Sequence, residues 1–127
     1  MKTLARLIPA AAALAVASAA FAAPAAAPKK NGLYSGSIPG QEKRLELHVS
    51  PDGRSATAAM FCFDTKVGSL RRFPIAGGAF KASKKTGSML VWAISGKFTS
   101  TTKGRASIAL HALCDGKGGL VTLTLRS

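Results

Sequence analysis

Acidic residues are scarce in this 127-residue chain: 5 Asp and Glu stand against 18 Lys and Arg, for a formal net charge of +13 at pH 7. Acid–base catalysis needs convergent groups with tuned proton affinity, and these few acids with 2 histidines supply little of it. The sequence has no nucleophile elbow, no Gly-rich phosphate loop, no zinc spacing and no calcium loop. A non-enzymatic protein with no metal and no cofactor is the expectation. No window after residue 22 has helical periodicity, and no apolar run is long enough to cross a membrane as a helix. Cysteine is also sparse, with 2 in the whole chain.

What is present begins with MKTLARLIPAAAALAVASAAFAAP. Lys2 and Arg6 precede an apolar run that ends in the small-residue sequence Ala20-Phe21-Ala22, the three-part layout of a secretory signal peptide. Residues 1–22 are expected to be removed, residues 23–31 to form a flexible lead-in, and residues 32–127 to form one domain in the periplasm or outside the cell. In such a compartment Cys62 and Cys114 are expected to join in a disulfide.

From Gly32 onward, short apolar stretches alternate with Gly, Pro, Asp and Ser turn signals every eight to twelve residues or so. The clearest strand is Lys43 to Ser50, in which Leu45, Leu47 and Val49 share one face and Arg44, Glu46 and His48 the other. SPDGR then turns the chain, with Pro51 suited to the first central position and Gly53 able to take positive φ. Ser55–Phe63, Leu70–Ile75, Ala79–Ala82, Met89–Thr99, Arg105–Cys114 and Leu120–Arg126 read as further strands, and Leu33–Ile38 as the first. The fold class is all-β: about eight short antiparallel strands in a small barrel or a two-layer sandwich, with one disulfide.

The stretch HALCDGKGG, His111 to Gly119, gathers a histidine, a cysteine and an aspartate. On a strand His111 and Cys114 would point to opposite faces about 10 Å apart, which excludes a shared metal. The expectation is a strand that brings Cys114 to the core side beside Cys62, followed by a turn at Asp115. Glu46 and His48 share a strand face, as a small hydrolase would require of an acid and a histidine. A solvated polar face accounts for them more simply.

The basic residues cluster: Arg71 and Arg72, then Lys81, Lys84 and Lys85 in the loop-like KASKKTG, then Lys97, Lys103 and Arg105. These eight are the candidate anion-binding set, suited to an anionic polymer or envelope surface. A rival is a protein–protein surface built on outward apolar residues near Phe61 and Phe63, as in an inhibitor or assembly partner. Nucleic acid is disfavoured as a partner, because the aromatics sit in apolar strand rows and export separates the chain from the genome.

The G-L-Y-S-G start at Gly32, Phe61-Cys62, the I-S-G-K-F-T run from Ile94 to Thr99 and the late Cys114 resemble small exported bacterial all-β proteins. The resemblance implies fold and export and assigns no functional residue.

Overall fold

The computed structural model describes residues 25–127; the expected signal peptide and its cleavage point lie outside the described residues. Eight antiparallel strands run in sequence order around a closed barrel: β1 (Leu33–Ser37), β2 (Lys43–Val49), β3 (Ser55–Cys62), β4 (Thr65–Ala76), β5 (Ala79–Thr86), β6 (Met89–Phe98), β7 (Lys103–Leu110) and β8 (Gly119–Leu125). Pairing of Tyr34 with Leu125 and of Ser35 with Thr124 closes the wall between β1 and β8. The choice between barrel and sandwich is thereby decided for the barrel. An eight-stranded barrel is just wide enough for side chains to fill it. Here Leu45, Leu47, Met60, Trp92, Ile94, Leu110 and Leu123 do so, all at 1% exposure or less.

The two-residue rhythm sets this interior. Leu45, Leu47 and Val49 of β2 are buried while Glu46 and His48 point outward. Rings fill one end: Tyr34 packs on Phe98 at 4.8 Å between centroids, Phe98 on Phe80 at 5.5 Å and Phe80 on Phe73 at 6.1 Å. The Tyr34 hydroxyl donates to the Thr101 carbonyl and accepts the Lys29 backbone N–H at 2.8 Å. The Ala26 N–H reaches the Phe98 carbonyl at 2.7 Å. The described part of the lead-in, residues 25–31, is thus fastened across the same barrel end. No second layer covers the outer wall among the described residues. On β3 and β6 the outward Phe61, Val91 and Ala93 are half-buried, and Met89 is exposed.

Three expected boundaries move by more than two residues. β4 begins at Thr65 rather than Leu70. KASKKTG is no loop: Lys81, Lys84 and Lys85 belong to β5, which pairs with β6 as far as Thr86↔Met89. β7 ends at Leu110, so His111 to Cys114 is not strand. Cys114 has a φ of 56°, a left-handed conformation that cannot continue a strand, and it is exposed rather than on the core side. The disulfide with Cys62 exists, but it closes the barrel rim instead of crossing the core.

Candidate functional site

Each of the eight candidate cations lies on one of four consecutive strands, and the structure sorts them into two clefts with connecting residues. Arg71 and Arg72 owe their common direction to a bulge. Ala56 pairs with Phe73 and Ala58 with Leu70, so both arginines oppose the single residue Thr57. Such an insertion breaks the alternation of faces. Leu70 and Phe73 stay buried, and Arg71 and Arg72 are both exposed.

Next to that bulge the wall is incompletely zipped. β4 and β5 pair only at Ile75↔Phe80 and Ala76↔Ala79, although β5 runs on to Thr86. Between them lies a cleft of about 470 Å³ lined by Ser69, Leu70, Arg71, Arg72, Phe73, Ala82, Ser83 and Lys84. Its floor is apolar and its rim carries hydroxyls and three cations.

The second cleft, about 550 Å³, runs over β6, β7 and β8. Lys97 and Arg105 stand directly opposite one another across β6 and β7, with Thr122 beside Arg105 on β8. Ser95, Ser107 and the exposed Leu120 are also among its lining residues. Lys81 pairs with Ser95 and so lies between the two clefts. Lys85 sits further along β5, and the Lys103 ammonium donates to the Thr124 hydroxyl at 3.1 Å. The set therefore forms a wall rather than a single focus. Lys66, opposite Phe61 on β4, extends it and was not among the expected residues.

Carboxylates are confined elsewhere. Glu42, Glu46, Asp52, Asp64 and Asp115 lie on β2 or in the connections β1–β2, β2–β3, β3–β4 and β7–β8, and none occurs from Thr65 to Cys114. Two are held below their ordinary value of 3.8: Asp52 by the Ser50 hydroxyl and then the Arg54 backbone N–H, and Asp115 by Lys43 and then the Lys117 backbone N–H.

Lys43 is the residue that sequence reasoning passed over. Its ammonium is buried and donates to Asp115, to Gln41 Oε1 at 2.6 Å and to the Lys117 carbonyl at 2.7 Å. It fastens the Cys114–Gly118 loop to β2 next to the disulfide. These groups line an open hollow of about 760 Å³ with Pro39, Glu42 and Phe63. Because the ammonium has three acceptors, this cluster is a structural tie.

The histidines are apart. His48 is outward on β2, opposite Thr57, while His111 is exposed in the β7–β8 loop. Glu46 is engaged by Arg44, with Nη2 at 3.1 Å. Among the described residues, no three His, Cys, Asp or Glu side chains are grouped to hold a metal ion. Phe61 is covered by the Arg44 guanidinium, 4.4 Å above its ring, which leaves Phe63, at 72% exposure, without Phe61 as an apolar companion. Met89 on β6 and Leu120 on β8 are the other exposed large apolar residues among the described residues.

The chain was compared with known proteins. No family model, curated protein or solved structure matches it.

Proposed function

We propose that this protein is an exported, non-enzymatic binding protein that attaches to an anionic polymer or envelope component through the outer wall formed by β4 to β7. One observation carries the reading: the chain from Thr65 to Cys114 contains no carboxylate, while Arg71, Arg72, Lys81, Lys84, Lys85, Lys97, Lys103 and Arg105 all lie within it. A single-sign surface raises the local concentration of anions and speeds their capture. A disulfide-closed barrel suits an oxidising compartment outside the cytosol.

The aromatic rings narrow the partner. Tyr34, Phe73, Phe80, Trp92 and Phe98 are all buried, so this wall presents no ring on which a base or sugar could stack. What remains is recognition of charge by Lys and Arg with help from Ser and Thr hydroxyls. A flexible polyanion fits that chemistry, and a ligand chosen by its bases does not.

The test is retention on immobilised polyphosphate as a function of salt. Charge-driven binding falls as the Debye length shrinks from about 10 Å at 0.1 M to about 3 Å at 1 M. Retention at low salt that disappears at high salt supports the reading. Retention that is absent, or unchanged across that range, refutes it.

A further inference from the structure

The β4–β5 seam is the most specific feature of the wall. We infer that it is a phosphate-binding subsite, taking one phosphoryl group of the polyanion; this rests on the proposed function and sharpens it. Three independent features converge there. The bulge opposite Thr57 turns two consecutive arginines outward. Pairing between β4 and β5 lapses beyond Ile75↔Phe80, which opens a recess in the wall. Ser69, Ser83 and Lys84 line the recess together with those arginines.

A phosphoryl group offers several acceptor oxygens around one centre. The guanidinium fork matches pairs of such oxygens, whereas lysine acts as a point charge. Hydroxyls of Ser69 and Ser83 add neutral donors. The floor of Leu70, Phe73 and Ala82 is poorly polarisable, so the charges above it are less screened than on open sheet. The second cleft, with one arginine and one lysine across Lys97↔Arg105, lacks the paired forks and is assigned only to general attraction.

An unpaired strand edge could instead accept an extended acidic peptide as an added strand. The edges here argue against it. A bulge on β4 and lysines on β5 are the devices by which sheets prevent strand addition. The recess is also short, bounded by Ser69–Phe73 on one side and Ala82–Lys84 on the other.

The experiment titrates the full chain with polyphosphate and with poly-L-glutamate of matched length, using wild type, Arg71→Lys/Arg72→Lys and Lys97→Gln/Arg105→Gln. The arginine variant keeps its charge and changes only exposed side chains. We expect it to lose about tenfold in polyphosphate affinity, the equivalent of one charge-assisted hydrogen bond, with little change toward poly-L-glutamate. The Lys97/Arg105 variant should weaken both polymers alike. Polyphosphate affinity unchanged in the arginine variant, with wild-type binding intact, overturns the subsite and leaves the polyanion reading standing. Equal losses toward both polymers also overturn it, in favour of an acidic-peptide groove. No binding of either polymer to wild type overturns both. Lys84→Gln, on the facing strand, provides a second probe and should also cost polyphosphate more than poly-L-glutamate.

Discussion

The buried ammonium of Lys43 on β2 donates to the carboxylate of Asp115 in the β7–β8 loop, across a sequence separation of 72. The disulfide from Cys62 to Cys114 stands beside it: Cys114 precedes Asp115, and Cys62 on β3 is the register partner of Lys43. A covalent and an ionic tie thus fasten the same loop to the same corner of the barrel.

The ionic tie sets the acid limb of stability. Asp115 is held below its ordinary value by Lys43 first and the Lys117 N–H second, and Asp52 by the Ser50 hydroxyl and the Arg54 N–H. A carboxyl whose folded pKa is depressed stabilises the fold above its unfolded pKa, near 3.8, and that stability is lost as pH falls through the folded value. Urea midpoints should hold between pH 5 and pH 7 or so and fall below about pH 4. Asp115→Asn and Asp52→Asn should each flatten part of that fall. Midpoints that stay level to about pH 2 would contradict the assignment.

The covalent tie closes a loop with a sequence separation of 52, which corresponds to about 4 kcal/mol in the chain-entropy picture. Replacing both Cys62 and Cys114 by alanine should lower unfolding free energy by about 3–4 kcal/mol, as read from urea unfolding. A loss below about 1 kcal/mol would mean that the rim is held by Lys43 and packing instead.

Gly96 on β6 permits the close approach of β7. A Cβ there would lie 2.1 Å from the Arg105 carbonyl oxygen and 2.9 Å from the Phe80 ring. Backbone cannot yield as a side-chain tip can, so Gly96→Ala should cost about 2–4 kcal/mol. Thermal unfolding of the variant close to that of wild type would contradict this contact.

Phe63 adopts a φ of 56° in the β3–β4 turn, a conformation costing about 1–2 kcal/mol for most L residues but tolerated by Asn. With 72% of its surface exposed, it has little packing to lose. Phe63→Asn should therefore stabilise by about 1 kcal/mol, seen as a higher unfolding midpoint. A lower midpoint would show that the ring contributes packing beyond its exposure.

The alternation of Leu45, Leu47 and Val49 made β2 and the all-β class readable, because burial of one face imposes a period of two. Closure into a barrel was not readable, since it depends on β1 meeting β8 through Tyr34 and Leu125, a pairing no local pattern encodes. The cations were found by composition. The arrangement of Arg71 and Arg72 was hidden, because a bulge is a property of the β3–β4 register and neither strand announces it alone. Lys117 and its neighbours read as turn, but the start of that turn before Cys114 was masked by the apolar Ala112 and Leu113, which look like strand. Lys43 stands at the start of β2 on the same face as Leu45, and nothing local marks a lysine there for burial. Only its three acceptors, two of them supplied by the distant loop, account for its burial.

The central claim is that a wall binds anions, and not merely that the chain is basic. Polyphosphate affinity at low salt should be compared between two triple variants that remove equal charge. One is Lys81→Gln/Lys84→Gln/Lys85→Gln on β5. The other is Lys29→Gln/Lys30→Gln/Arg126→Gln, whose residues are exposed near the two ends of the described residues. The account predicts a loss of at least about tenfold for the first and a much smaller one for the second. Equal losses would show that net charge alone attracts the polymer, and would contradict the account.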